Sequence, residues 1–148
     1  MKNDNPKTTK VRLLMLLVAL LLTSCSSSQP GFGAYPKAVS AADEGFAIQA
    51  LRTIATAQTQ FKVTRGSYGD FDALTQAGFL DQRFASNMPM LKGYRLSMKS
   101  SENEFTVNAD PEIQPQGTTG TRHFYLDSSD NAIHVNATQT AGKSDPIL

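Results

Sequence analysis

Few residues in this chain are of types that do chemistry, and their spacing narrows the choice further. Cys25 is the one cysteine. With no second thiol, neither a disulfide nor a cysteine-based metal knuckle can form within the chain. His123 and His134 are the two histidines, one on each side of the turn Asp127–Asn131. If that turn is symmetric about Ser128-Ser129, Phe124 pairs with Ile133 and His123 lies directly opposite His134. Opposed residues of antiparallel strands share a face, with Cβ atoms about 5 Å apart. Two such imidazoles could ligate zinc or copper, or act as a pH-sensitive pair. The plainer reading, two exposed histidines on a solvated sheet face, is preferred. A bulge at Asn131 would break the opposition, and no third ligand is evident. The paired acids Asp127/Asp130 and Asp70/Asp72 sit where turns and caps need carboxylates, so they read as turn residues rather than as a general acid and base. The chain has no nucleophile elbow, no phosphate-cradling glycine loop and no HExxH. No catalytic residue, cofactor site or metal centre is assigned, and the chain is not read as an enzyme.

The elements that must position these residues begin at residue 40, after a leader and a tether. Lys2, Lys7, Lys10 and Arg12 precede about ten apolar residues, Leu13–Leu22, which end on Leu22-Thr23-Ser24-Cys25. A basic head, a short apolar body and small residues before a cut describe an export signal. The run is too short to cross roughly 30 Å of hydrocarbon as a helix. Its ending resembles the lipobox of bacterial lipoproteins. That resemblance implies cleavage between Ser24 and Cys25, leaving residues 1–24 as signal peptide and several acyl chains on Cys25. Several chains anchor stably, at roughly 0.8 kcal/mol per buried methylene, whereas one chain does so only marginally. The mature protein is therefore expected on a bacterial membrane, exported, facing periplasm or cell surface. Ser26 is not the Asp that retains well-studied lipoproteins at the inner membrane, which favours the outer one.

The formal net charge of +1 hides an asymmetry. The leader carries four bases against Asp4, so the remainder is near −2, and nothing in it resembles a nucleic-acid surface. Residues 26–39, SSSQPGFGAYPKAV, mix Ser, Gly, Pro and Ala without period and are expected to be a flexible tether.

From Ser40 the pattern sharpens. Ser40 and Asp43 fit a capping box. Ala47, Leu51, Ile54, Gln58 and Phe61 then recur at helical spacing against a polar side of Gln49, Arg52, Thr53, Thr56 and Thr59. Lys62 and Arg65 suit the negative end of such a helix, and Gly66 its stop. Gln58, the polar residue on the apolar stripe, is expected to be a hydrogen-bonded core amide. Asp70 and Asp81 are expected to cap two short turns, and Met88 and Met90 to fill gaps in the core. Beyond Pro89 the period becomes two: Tyr94, Leu96 and Met98; Phe105, Val107 and Ala109; Phe124 and Leu126; Ile133 and Val135. Asp110–Gly120 reads as a long surface loop, and residues 137–148 as a disordered tail. One long helix on a four-stranded antiparallel sheet makes an α+β domain over residues 40–136.

Ala47–Phe61, Ser67–Asp81, Phe105–Pro111 and Gly120–His134 together resemble the globular part of type IV pilins and type II secretion pseudopilins. The resemblance covers about 41–136 and implies a pilin-like head that works by protein contact in the cell envelope. It departs from the family at the N-terminus. Gly31-Phe32 and Gly45-Phe46 look like pilin cut sites, but no apolar run follows either. The filament-forming half-helix is missing, which implies a protein that cannot polymerise as a pilin does. Some pseudopilins hold calcium in an Asp-rich loop; the matching Asp127–Asn131 is short of oxygen ligands, and that site is not carried over.

Overall fold

The structure, a computed structural model, describes residues 34–112 and 120–148. The leader, Cys25, the first part of the tether and residues 113–119 of the long loop lie outside the described residues. No described helix is long and apolar enough to cross a membrane.

Helix α1 spans Ala34–Arg65, six residues longer at its start than the periodicity implies. The proposed capping box therefore lies inside the helix, and the first turn holds no acid. Pro36 is compatible with this start, because the first-turn N–H groups have no intrahelical acceptor to lose. Val39–Asp43 contribute nothing buried; burial begins at Glu44 and continues along Ala47, Leu51, Ile54, Ala57, Gln58 and Phe61. Lys62 and Arg65 occupy the last turn. Gly66, at φ 83°, ends the helix with its N–H on the Lys62 carbonyl, a conformation that costs glycine nothing. Gln58 is fully buried. Its Nε2 donates to the Gly69 carbonyl at 2.6 Å and its Oε1 accepts from the Gly69 N–H at 3.0 Å, pinning the following turn to the helix. Asp70 caps α2 (Phe71–Gln76) by accepting from the Ala73 N–H, and Asp81 caps a 3-10 turn, Gln82–Phe84.

The sheet has five strands, not four: β1 Met90–Leu91, β2 Tyr94–Ser100, β3 Phe105–Pro111, β4 His123–Asp127 and β5 Ile133–Asn136. They lie in chain order, every neighbour antiparallel. The extra strand β1 joins β2 through a two-residue turn, Lys92-Gly93, with φ 50° and 79°. A strand of two residues shows no period, and a lysine at positive φ is not the Asn-Gly signal such turns usually give. Met88 and Met90, expected in the core, are 54% and 46% exposed on this edge. β3 also takes in Asp110 and Pro111, expected in the loop.

Leu96, Val107, Ala109, Phe124 and Leu126 line the inner face under α1 with Tyr94 and Phe105, forming one core. Residues 137–148 are not a disordered tail. They cross the outer face of the sheet and end along β5, where the Val135 N–H donates to the Pro146 carbonyl and the Leu148 N–H to the Ile133 carbonyl. Their composition lacks a period because they are held mainly through polar groups, an arrangement that hydrophobic patterning cannot reveal.

Candidate functional site: the outer face of the sheet

The strand registers decide what the two histidines can do. β4 pairs with β5 so that Leu126 faces Ile133, Tyr125 faces His134 and His123 faces Asn136. Relative to the expected register the partner shifts by two residues. A two-residue shift keeps every side chain on its face, so both histidines remain on the outer face, but their direct opposition is lost. Diagonal neighbours of this kind are separated by about 7–8 Å. The cause lies in the turn. Asp127 accepts from the Ser129 N–H and hydroxyl at 2.8 and 2.6 Å, Asp130 accepts from the Ala132 N–H at 2.8 Å, and Asn131 takes φ 54°. These bonds stabilise a loop in which the last paired residues, Leu126 and Ile133, enclose six residues, wider than a turn centred on Ser128-Ser129.

Each histidine has its own partners. His123 Nδ1 lies 2.6 Å from Asp110 Oδ1, on the adjacent strand. His134 is only 5% exposed, because the C-terminal segment covers it. Its Nδ1 meets the Asp145 carbonyl oxygen at 2.7 Å and its Nε2 meets Asp130 Oδ2 at 3.3 Å. Both ring nitrogens thus face acceptors, and only the doubly protonated ring satisfies both. The carbonyl of Asp145, opposed by burial and helped by Asp130, holds the His134 pKa above its ordinary value. Around it, Asn108 donates to the Ala141 carbonyl at 2.7 Å and Asn136 to Asp145 at 2.9 Å. Burial pushes the Tyr125 phenol up to about 12, reinforced by its hydrogen bond to Asp127. Burial also raises Asp127, but Ser129, Tyr125 and Lys143 outweigh it and leave the carboxyl below its usual range. Asn108, Tyr125, Asp127, His134 and Asn136 on this face thus bond to neighbouring polar groups or to the C-terminal segment. Among the described residues no group of three or more His, Cys, Asp or Glu side chains is placed to hold a metal ion.

A second polar cluster, which the sequence did not reveal, ties α1 to the start of β4. Glu44 is buried. It accepts from the Thr121 N–H at 3.1 Å, the Arg122 N–H at 3.3 Å and Arg122 Nε at 2.9 Å, with Nη2 2.7 Å away. Burial works against the charge, but these donors more than offset it, and the Glu44 pKa lies below its ordinary value. Tyr94 closes the cluster by donating to the Arg122 carbonyl at 2.9 Å. Gly120 enters it because a Cβ there would collide with the Tyr94 hydroxyl and Glu44 Cγ. The spacing of 78 residues between Glu44 and Arg122 leaves no local signal for such a pair.

Cys25 and the Ser24–Cys25 cleavage point lie outside the described residues. No protein-family model matches the chain, and no characterised protein matches it.

Proposed function

We propose that the chain is a lipid-anchored, non-enzymatic protein of a bacterial envelope that works by contact with other proteins. The observation that carries this reading is Leu22-Thr23-Ser24-Cys25, set at the end of a basic and then apolar leader and containing the chain's one cysteine. Acyl chains on Cys25 hold the polypeptide at the membrane surface, the outer membrane in preference. The folded domain stays in water, without nucleic acid and without a cofactor. Its histidines and buried carboxylates are engaged in turns, in the C-terminal segment and in the link between α1 and β4, which supports a structural use of these residues. The four segments that resemble pilin heads make a pilus or secretion machine the partner to look for.

The anchor is tested by fractionating cells that express the full chain and by intact mass of the purified protein. The wild type should pellet with membranes, with an N-terminal peptide beginning at Cys25 and carrying acyl mass. Cys25→Ser should remain uncleaved or appear in the soluble fraction. An unacylated mature N-terminus would end the anchoring claim.

A further inference from the structure

Between α1 and the β1 edge lies a groove of about 400 Å3. Ala50, Phe84 and Leu91 line it, and the Phe46 ring, 53% exposed, forms one wall. Cations border it and no carboxylate lines it among the described residues. Asp81 already engages the Arg83 guanidinium at 2.7 Å. The Lys92 ammonium stands over the Phe46 ring, 5.5 Å from its centroid.

The same groove opens on an unfinished sheet edge. Leu91 and Tyr94 flank the two-residue turn and exchange the ladder bonds, and the next bond in the ladder runs from the Leu96 N–H to the Pro89 carbonyl at 2.8 Å. Antiparallel pairs alternate, so Met90, between them, turns its own N–H and C=O away from β2. Met90 lines the groove. An added strand could therefore bond to Met90 while its alternate side chains drop toward Phe46, Ala50 and Leu91. Side chains on one face of a strand recur about every 7 Å, a step comparable to the 5.5 Å between the Phe46 ring centroid and the Lys92 ammonium.

We infer that this groove binds an extended peptide segment of a partner protein, with an apolar residue and, two positions away on the same face, an Asp or Glu. The apolar side chain fills the space between Phe46 and Leu91, and the carboxylate meets Lys92. This rests on the reading of the domain as a contact module and gives that reading a partner chemistry. The volume falls at the low end of ligand sites and suits one or two side chains rather than a helix.

The test uses the full chain purified in detergent and a fluorescent peptide, Thr-Val-Thr-Leu-Thr-Asp-Thr, followed by anisotropy. Saturable binding is expected in the micromolar to submillimolar range. Lys92→Glu should weaken it roughly five- to tenfold. Replacing the peptide's Asp with Lys should weaken it likewise, and the two changes together should recover affinity. Phe46→Ser should weaken binding without altering the circular dichroism spectrum. Lys92→Glu, at an exposed turn, carries the test if Phe46→Ser does not fold. No binding, binding indifferent to Lys92→Glu, or equal binding by a peptide with N-methylated alternate amides would overturn the inference. Concentration-dependent self-association removed by Phe46→Ser would also overturn it, by assigning the groove to a second copy of this chain. Each of these readouts is separate from the acylation result, so the anchor and the groove can fail independently.

Discussion

Gln58→Leu tests how far one buried amide holds the domain together. Gln58 makes three contacts: Nε2 to the Gly69 carbonyl at 2.6 Å, Oε1 from the Gly69 N–H at 3.0 Å, and Nε2 to Met98 Sδ at 3.2 Å. Leucine fills nearly the same volume and leaves two buried backbone groups of Gly69 without partners. Each orphaned group costs about 1–3 kcal/mol. Against that, the leucine side chain gains roughly 1–2 kcal/mol of apolar burial, and the amide's own desolvation is no longer needed. The balance is a loss of about 2 kcal/mol, which for a domain slightly over 100 residues lowers Tm by roughly 8–12 °C. Urea unfolding followed by far-UV circular dichroism measures it, with an unchanged m-value showing that the unfolded state is not the cause. Gln58→Glu sharpens the argument. Its carboxylate can still accept from the Gly69 N–H but faces the Gly69 carbonyl with no proton to donate. Burial and that carbonyl raise the folded pKa above the unfolded value of about 4.3. The variant should therefore be most stable below that pH and lose stability as pH rises through its folded pKa. Gln58→Leu within about 0.5 kcal/mol of wild type, the range of an ordinary surface change, would show that Gly69 finds other partners and that the reasoning is wrong.

Two further predictions concern the polar clusters. Since both His134 nitrogens face acceptors and its folded pKa is raised, its contribution to stability should be full below about pH 6.5 and fade as pH rises through the folded value. His134→Gln should flatten the dependence of the urea midpoint on pH across that window. Gly120→Ala should cost about 1–3 kcal/mol in a thermal melt, because the new Cβ meets Tyr94 and Glu44 in a packed cluster.

Legibility in the sequence followed the range of the interaction. The helical stripe from Ala47 to Phe61, the caps at Asp70 and Asp81, the stop at Gly66 and the period-two strands are set by residues close in the chain, and local pattern reveals them. Gln58 was legible as a core amide because it is polar on an apolar stripe, but its partner Gly69 was not. The register of β4 against β5 was not legible either, because it depends on how Asp127, Asp130 and Asn131 share the turn's backbone donors. A shift of two residues leaves hydrophobic alternation unchanged, so Phe124, Leu126, Ile133 and Val135 fit both registers equally well. The histidine pairing was the feature most exposed to that ambiguity. The docking of the C-terminal segment, which composition alone presents as a disordered tail, has no local signal for a related reason. The segment supplies the Ala141 and Asp145 carbonyls to Asn108 and His134, and backbone carbonyls carry no sequence signature.

Packing supplies most of a helix's stability, and the packed stripe of α1 starts well inside the helix. At a rise of 1.5 Å per residue, the five residues from Val39 to Asp43 extend about 7 Å of helix ahead of the buried Glu44. Glu44 is then the point at which the chain becomes fixed to the sheet, because its carboxylate gathers the Thr121 and Arg122 donors at the entrance to β4. Phe46 and the groove follow two residues later. The β1–β2 turn lies at this same end of the sheet, since the Gly93 carbonyl accepts from the Glu112 N–H at the close of β3. The partner groove, the buried carboxylate and the helical extension thus cluster where α1 enters the domain, while the Gln58–Gly69 contact secures its far half.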